Sequence, residues 1–269
     1  MLFRFPENLD LSKFRLFAAL GIVAPLLALT ASEMSWAASV GEVHCDGAAP
    51  NLNCSVGNDR WNVEAPAEWS IVVVNPDDLR FEVRPGDTAA WDRSHNHVAE
   101  RTEISGFHSK EPTDSDLWFS MDLMVEPGPK VTSRWTVLGQ LHPTEDPGDV
   151  GPSPAWAQEL NAEDVFRIVI RAKAEKPLRR SPAPQVLFVD PEFKRGRTYH
   201  FVYRLRYSTT QGGLDAWRDG TQIVHYAGPV GYINQNGPYF KFGIYREPAA
   251  ETLAVHYKNL RFGDAVVKP

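Results

Sequence analysis

What most constrains this chain is a succession of short runs rich in β-branched and aromatic residues, each closed by turn residues. The runs fall at 69–74 (WSIVVV), 79–83, 117–125 (LWFSMDLMV), 134–142 (RWTVLGQLH), 165–171, 185–189, 198–208 (TYHFVYRLRYS), 221–226, 239–245 (YFKFGIY) and 253–262. Asn75-Pro76-Asp77, Pro85-Gly86-Asp87 and Glu126-Pro127-Gly128-Pro129 punctuate them, and Asp219-Gly220 marks a hairpin turn. The 19 Gly and 21 Pro in 269 residues, many in short clusters, suit turns between short strands and argue against a helical bundle. One short helix is expected, at 154–163 (PAWAQELNAE), and residues 143–157 and 174–184 read as Pro-rich loops. Many short strands with almost no helix predict an all-β fold, a concanavalin-like sandwich or jelly roll of two antiparallel sheets.

The N-terminus reads as an export signal. Lys13 and Arg15 precede an uncharged apolar run at 16–31, and small residues follow around Ser35-Trp36-Ala37-Ala38. The run is short for a membrane span and is broken by Pro25, although an uncleaved anchor is the alternative. Residues 1–37 are thus expected to be a signal peptide, 38–63 an N-terminal segment, and 64–269 the sandwich domain. The mature protein is expected in the periplasm or medium, monomeric and free of the membrane. In an oxidising compartment Cys45 and Cys54, the two cysteines of the chain, predict one disulfide closing a short loop. With 28 Lys and Arg against 34 Asp and Glu, the chain has no general attraction for phosphate, and nucleic acid is not an expected partner.

Three segments place polar residues inside strand-like sequence: Arg101-Thr102-Glu103, Gln140-Leu141-His142, and Tyr239-Phe240-Lys241-Phe242-Gly243-Ile244-Tyr245. Strand side chains alternate, so Arg101 shares a face with Glu103, Gln140 with His142, and Tyr239 with Lys241, Gly243 and Tyr245. Phe240, Phe242 and Ile244 take the opposite, core-facing side. Gly243 is expected to leave bare backbone where a ligand approaches. Such a polar face suits proton abstraction beside a sugar carboxylate. That chemistry needs donors to neutralise the carboxylate, a base for the C5 proton and an acid for the departing O4.

The ordered set Arg-x-Glu, Gln-x-His and Tyr-Phe-Lys-x-Gly-x-Tyr resembles the jelly-roll polysaccharide lyases. These include the heparin lyase I-like group, the alginate lyases of family 7 and the glucuronan lyases. Residues 213–224 (GLDAWRDGTQIV) and Tyr257-Lys258-Asn259-Leu260-Arg261-Phe262 resemble the heparin lyase I-like group too, and the resemblance spans about residues 64 to 264. It implies that Tyr245 is the catalytic tyrosine and His142 the base or carboxylate neutraliser. Arg101, Gln140 and Lys241 would bind substrate, all of them converging on one acidic sugar of an anionic polysaccharide. No cofactor is implied, beyond a structural or activating calcium known in part of the group. Alginate lyases of family 7 usually continue the last motif into an Asn-Gln-like pair, where this chain has Arg246-Glu247-Pro248. That departure tilts the match towards the heparin- or glucuronan-type group.

Other residues carry weaker readings. Glu103 is expected to orient Arg101. His95 and His97 could form a metal pair but lack a third ligand nearby, so a groove edge or plain loop is expected. Arg171, Lys173, Lys176, Arg179 and Arg180 read as a solvated loop or the positive rim of a groove, and Trp118, Trp135 and Trp217 as core. The competing function is a non-catalytic sandwich that holds an acidic glycan. A β-glucanase-type hydrolase is disfavoured because no Glu-x-Asp-x-x-Glu is present.

Overall fold

The computed structural model describes residues 40–263; the expected signal peptide at 1–37 lies outside them. In chain order the elements are β1 (Gly41–Asp46), β2 (Asn53–Val56), β3 (Asp59–Glu64), β4 (Ile71–Asn75), β5 (Asp78–Val83), α1 (Ala90–Ser94) and β6 (Glu100–Ser105). Then come β7 (Asp116–Val125), β8 (Thr136–His142), β9 (Trp156–Asn161), β10 (Val165–Ile170), β11 (Ala172–Lys173) and β12 (Gln185–Asp190). The chain closes with β13 (Thr198–Arg206), β14 (Gly213–Arg218), β15 (Thr221–Ala227), β16 (Gly231–Tyr232), β17 (Tyr239–Arg246) and β18 (Leu253–Phe262).

One layer runs β12-β10-β9-β8-β17-β6-β3, and the other is built on β18-β7-β13-β14-β15 with β5 and β4 beside β18. The ribbon β1-β2-β3 joins them, since β1 pairs with β18 and β3 with β6. Strands β1 to β3 are therefore woven into both layers. The Cys45–Cys54 disulfide forms across the directly paired β1 and β2.

Alternation explains the core. Phe240, Phe242 and Ile244 of β17 are buried and meet the other layer at Phe119, whose ring lies 4.8 Å from Phe240, 4.9 Å from Trp156 and 4.9 Å from Tyr203. Burying aromatics of this size is the main favourable term for a sandwich, at about 2–3 kcal/mol each. Asp219 and Gly220 both take positive φ and close the β14–β15 hairpin, as Asp-Gly predicts.

Two expectations are overturned here. Residues 154–163 are not a helix: 156–161 form β9, hydrogen-bonded between β8 and β10, followed by a 3-10 turn at Ala162–Asp164. The helix-forming Ala, Gln, Glu and Leu are outweighed by pairing on both edges and by burial of every residue of the strand. Trp118 and Trp217 are half-buried and stacked on each other, with ring centroids 6.0 Å apart, rather than part of the core.

Candidate active site

The outward face of the first layer carries a row of polar side chains. Cross-strand partners share a face, and the ladder sets Asn62 beside Ser105, Ser105 beside Lys241, and Lys241 beside Gln140. One step along, Tyr245 pairs with Arg101 and Gly243 with Glu103. Val137, Ala157 and Val169 form a small apolar floor on which Tyr245 packs.

Glu103 is the hub of this face. It is fully buried and accepts from Gln140 Nε2 at 2.7 Å, from Arg101 at 3.1 Å and from Lys241 Nζ at 2.6 Å. Glu64 accepts from the same two cations, at 3.2 Å from Arg101 and 3.1 Å from Lys241. Arg101 also forks onto Asp92, through Nε at 2.8 Å and Nη2 at 2.9 Å. Burial raises the Glu64 carboxyl, but Lys241 and Arg101 outweigh it and hold its pKa below the usual range. Burial likewise opposes the Arg101 charge, and Glu103, Glu64 and Asp92 more than restore it. Arg101 and Lys241 are therefore both engaged with carboxylates. They set the potential of the face and hold its geometry more than they offer free donors.

Tyr245 stands over this cluster. The Arg101 guanidinium carbon lies 4.1 Å from its ring centre, Trp135 packs at 4.9 Å, and its hydroxyl is 3.5 Å from both ring nitrogens of His97. Trp135, half-buried, is thus a wall of the site instead of core. Nδ1 of His97 lies 3.1 Å from the buried Asp92 carboxylate, an acceptor; in the neutral imidazole this contact places the proton on Nδ1 and the lone pair on Nε2. Burial, opposed by Arg101, pushes the Tyr245 phenol up to about 12, so it is protonated at neutral pH.

His142 stands elsewhere on the face. The ladder pairs it with Tyr239, while Tyr245 pairs with Val137, five positions and about 15 Å along β8. Its ring lies 5.4 Å from Tyr239, and its Nδ1 donates to the Pro143 carbonyl at 2.8 Å. Burial, reinforced by Lys241, lowers its pKa to about 3, so it is neutral. Beside it Lys110 lies over the rings of Phe107 and Tyr239, at 3.8 and 4.2 Å, with its Nζ buried and lacking a hydrogen-bond partner. Burial pulls that ammonium down to about 8.

Of the residues singled out in the sequence, Arg101, Gln140 and Lys241 meet around Glu103, with Tyr245 against Arg101. His142 meets Tyr239 in place of Tyr245. Gly243 is a further correction: its bare side faces strand β6, where a Cβ would lie 2.2 Å from the Thr102 carbonyl oxygen. At φ 139° beside the β17–β8 bulge, glycine is required by backbone and not by ligand approach. Residues passed over in the sequence include Glu64, Asp92 and Lys110; His97, read there as a groove edge or plain loop, lies against Tyr245. The Ser-His-Asn-His stretch just before the Arg101 strand was the available signal. Among the described residues no group of three or more His, Cys, Asp and Glu is arranged to hold a metal ion. Nor is any described helix long and apolar enough to cross a membrane. The basic stretch is mostly paired, Lys173 with Glu175, Lys176 with Asp146, and Arg171 with Glu159 at 3.8 Å.

No curated protein matches the sequence. Among solved structures, the endo-β-1,4-glucuronan lyase of the fungus Trichoderma reesei superposes with a TM-score of 0.55 at 13% identity, covering 85% of this chain and 96% of that one. Alginate lyase A1-II′, of polysaccharide lyase family 7, gives 0.54 at 12% identity, covering 76% and 94%. An alginate lyase from Pseudomonas aeruginosa gives 0.52 at 18% identity, covering 76% and 97%. These likenesses establish a shared jelly-roll fold. The family model described as polysaccharide lyase matches residues 69–261, most of the chain and all three polar motifs, and this protein belongs to that family of lyases.

Proposed function

We propose that this polysaccharide lyase is an exported enzyme that cleaves a uronic-acid-containing polysaccharide by β-elimination. The pair Tyr245 and His97, backed by Asp92, carries the reading. In the reaction the C5 proton is removed, the electron pair forms the C4–C5 double bond, and the C4–O4 bond breaks as O4 takes up a proton. No water is consumed. The protonated phenol of Tyr245 suits the acid, and Nε2 of His97 suits the base. His142, whose conjugate acid forms only near pH 3, is a poor base at neutral pH and is assigned to substrate positioning.

Gln140 is assigned to the substrate carboxylate. Glu103 accepts one N–H of the Gln140 amide at 2.7 Å, which orients the amide and leaves the other N–H to donate to that carboxylate. Side chains thus supply both proton transfers and a hydrogen-bond donor for the carboxylate, and the reading requires no cofactor. The structural relatives named for glucuronan and alginate support a uronate backbone as the substrate class. The disulfide supports export.

The test is incubation of the purified protein with alginate, glucuronan, heparin and related uronate polymers. Products should absorb in the ultraviolet as 4,5-unsaturated uronates and weigh one water less than hydrolysis products. Absence of both signatures on every uronate polymer would overturn the reading.

A further inference from the structure

The region matched by the family begins at residue 69, yet strands β1 to β3 precede it and complete the same outward face. On β3 the alternation sends Trp61 into the core, where it is 2% exposed. Arg60, Asn62 and Glu64 take the other side. Glu64 is already part of the active-site cluster, reaching Lys241 and Arg101. Asn62 lies two strands from Lys241 through Ser105, about 10 Å across the sheet.

Beyond Asn62 the face deepens into a groove of about 790 Å³, whose lining includes Asn53, Asn58, Arg60, Asn62 and His108. That volume is in the range of ligand-sized clefts, about 300–1,000 Å³. The lining chemistry is selective. Asn51 brings the asparagines to four, and each amide offers a donor and an acceptor, matching the adjacent hydroxyls of a sugar ring. Arg60 donates to Asn53 at 2.8 Å, so an amide and not a carboxylate orients its guanidinium. Asp59 is the one carboxylate of the lining. The groove is shaped by the two tight turns of β1-β2-β3, and the Cys45–Cys54 bridge ties the first of them shut.

We infer that the disulfide-stapled ribbon β1–β3 is a distal subsite for the polysaccharide, holding an acidic sugar beyond the bond that is cleaved. Arg60 takes the sugar carboxylate, and Asn53, Asn58 and Asn62 take its hydroxyls. This rests on the uronate-lyase reading and assigns the N-terminal ribbon a share in chain-length preference.

The experiment compares the wild type with an Arg60→Ala/Asn62→Ala variant, both sites being exposed and outside the core. KM is measured on the cleaved polymer and on its shortest cleavable oligosaccharide. The expected result is a rise in the polymer KM about tenfold larger than any rise for the short substrate, the loss of one charged hydrogen bond being worth that factor. An equal effect on both substrates, or none, overturns the subsite. If the wild type cleaves no uronate polymer, the lyase reading fails, and titration of uronate oligosaccharides decides the groove separately. Binding about tenfold weaker in the variant supports the subsite; equal affinity, or no binding to the wild type, overturns it.

Discussion

The hydroxyl of Tyr245 lies 3.5 Å from both ring nitrogens of His97, and the two rings are nearly parallel with centroids 6.1 Å apart. They come from distant parts of the chain, one from β17 and the other from the loop after α1. Asp92 on that helix holds His97 at 3.1 Å and forks onto Arg101 as well, so a single buried carboxylate sets both the imidazole and the guanidinium under the phenol. A phenol, an imidazole and a guanidinium, the proposed acid and base and the cation beside them, are thereby fixed relative to one another. This preorganisation is what a reaction through a carboxylate-stabilised carbanion requires.

Tyr245→Phe is expected to lower kcat by about 10²–10⁴. Phenylalanine keeps the packing on Trp135 and the apolar floor and the contact with Arg101, and loses only the hydroxyl. Thermal unfolding should therefore be nearly unchanged while release of unsaturated uronate collapses. Retained turnover would show that the phenol is not the acid.

The two histidines should separate kinetically. His97→Ala is expected to reduce kcat by about 10²–10⁴, with a smaller change in KM, whereas His142→Ala should act mainly on KM. Asp92→Asn supplies the control for positioning, because asparagine can also donate to Nδ1 and so favour the wrong tautomer of His97. Its kcat should fall and the acid limb of its pH profile should move. The reverse pattern, with His142 governing kcat, would return the base to the residue favoured by the motif.

Much of the fold was legible in the sequence because alternation is local. Phe240, Phe242 and Ile244 could be set against Lys241 and Tyr245 without knowing any partner strand. Residues 156–161 misled for the opposite reason, since their helix-forming side chains are overruled by β8 and β10, which no local pattern announces. At the site, the motifs named Arg101, Gln140, Lys241 and Tyr245, but strand register was invisible. Only register tells that His142 faces Tyr239, and only the tertiary fold brings His97, seven residues after a short helix begins, over Tyr245. Gly243 shows the same limit, its role being set by Thr102 on a neighbouring strand.

Acid stability should report the burial of His142. An unfolded histidine binds its proton near pH 6.5, whereas His142 in the fold waits until about 3. Between those values the unfolded state holds the extra proton, so stability falls as pH drops, by at most about 1.4 kcal/mol per unit from this group. Denaturant titrations at pH 4 and pH 7 should show a smaller acid loss in His142→Asn than in the wild type. Equal losses would mean that the imidazole is not shielded from protonation.

Removing the staple should cost stability without touching the chemistry. Replacing Cys45 and Cys54 by serine releases a loop closed over a sequence separation of 9, worth about 2–3 kcal/mol in chain entropy. The midpoint of denaturant unfolding should shift accordingly, and mild reduction of the wild type should reproduce it.

Glu103 offers the sharpest test of how the site is held. It accepts from Gln140, Arg101 and Lys241 and is itself fully buried. Glu103→Ala leaves two buried cations short of a partner and frees the Gln140 amide from its orientation. Breaking a buried ion pair from one side costs about 3–5 kcal/mol, far more than the median exposed pair. Glu103→Gln keeps the shape and an acceptor while removing the charge, so it should recover part of the stability but little of the activity, because the carboxylate sets the positions of all three donors. Unfolding free energies and kcat measured on both variants would separate these effects. If Glu103→Gln matched the wild type in kcat, the charge of the hub would be irrelevant and packing alone would place Gln140 and Lys241.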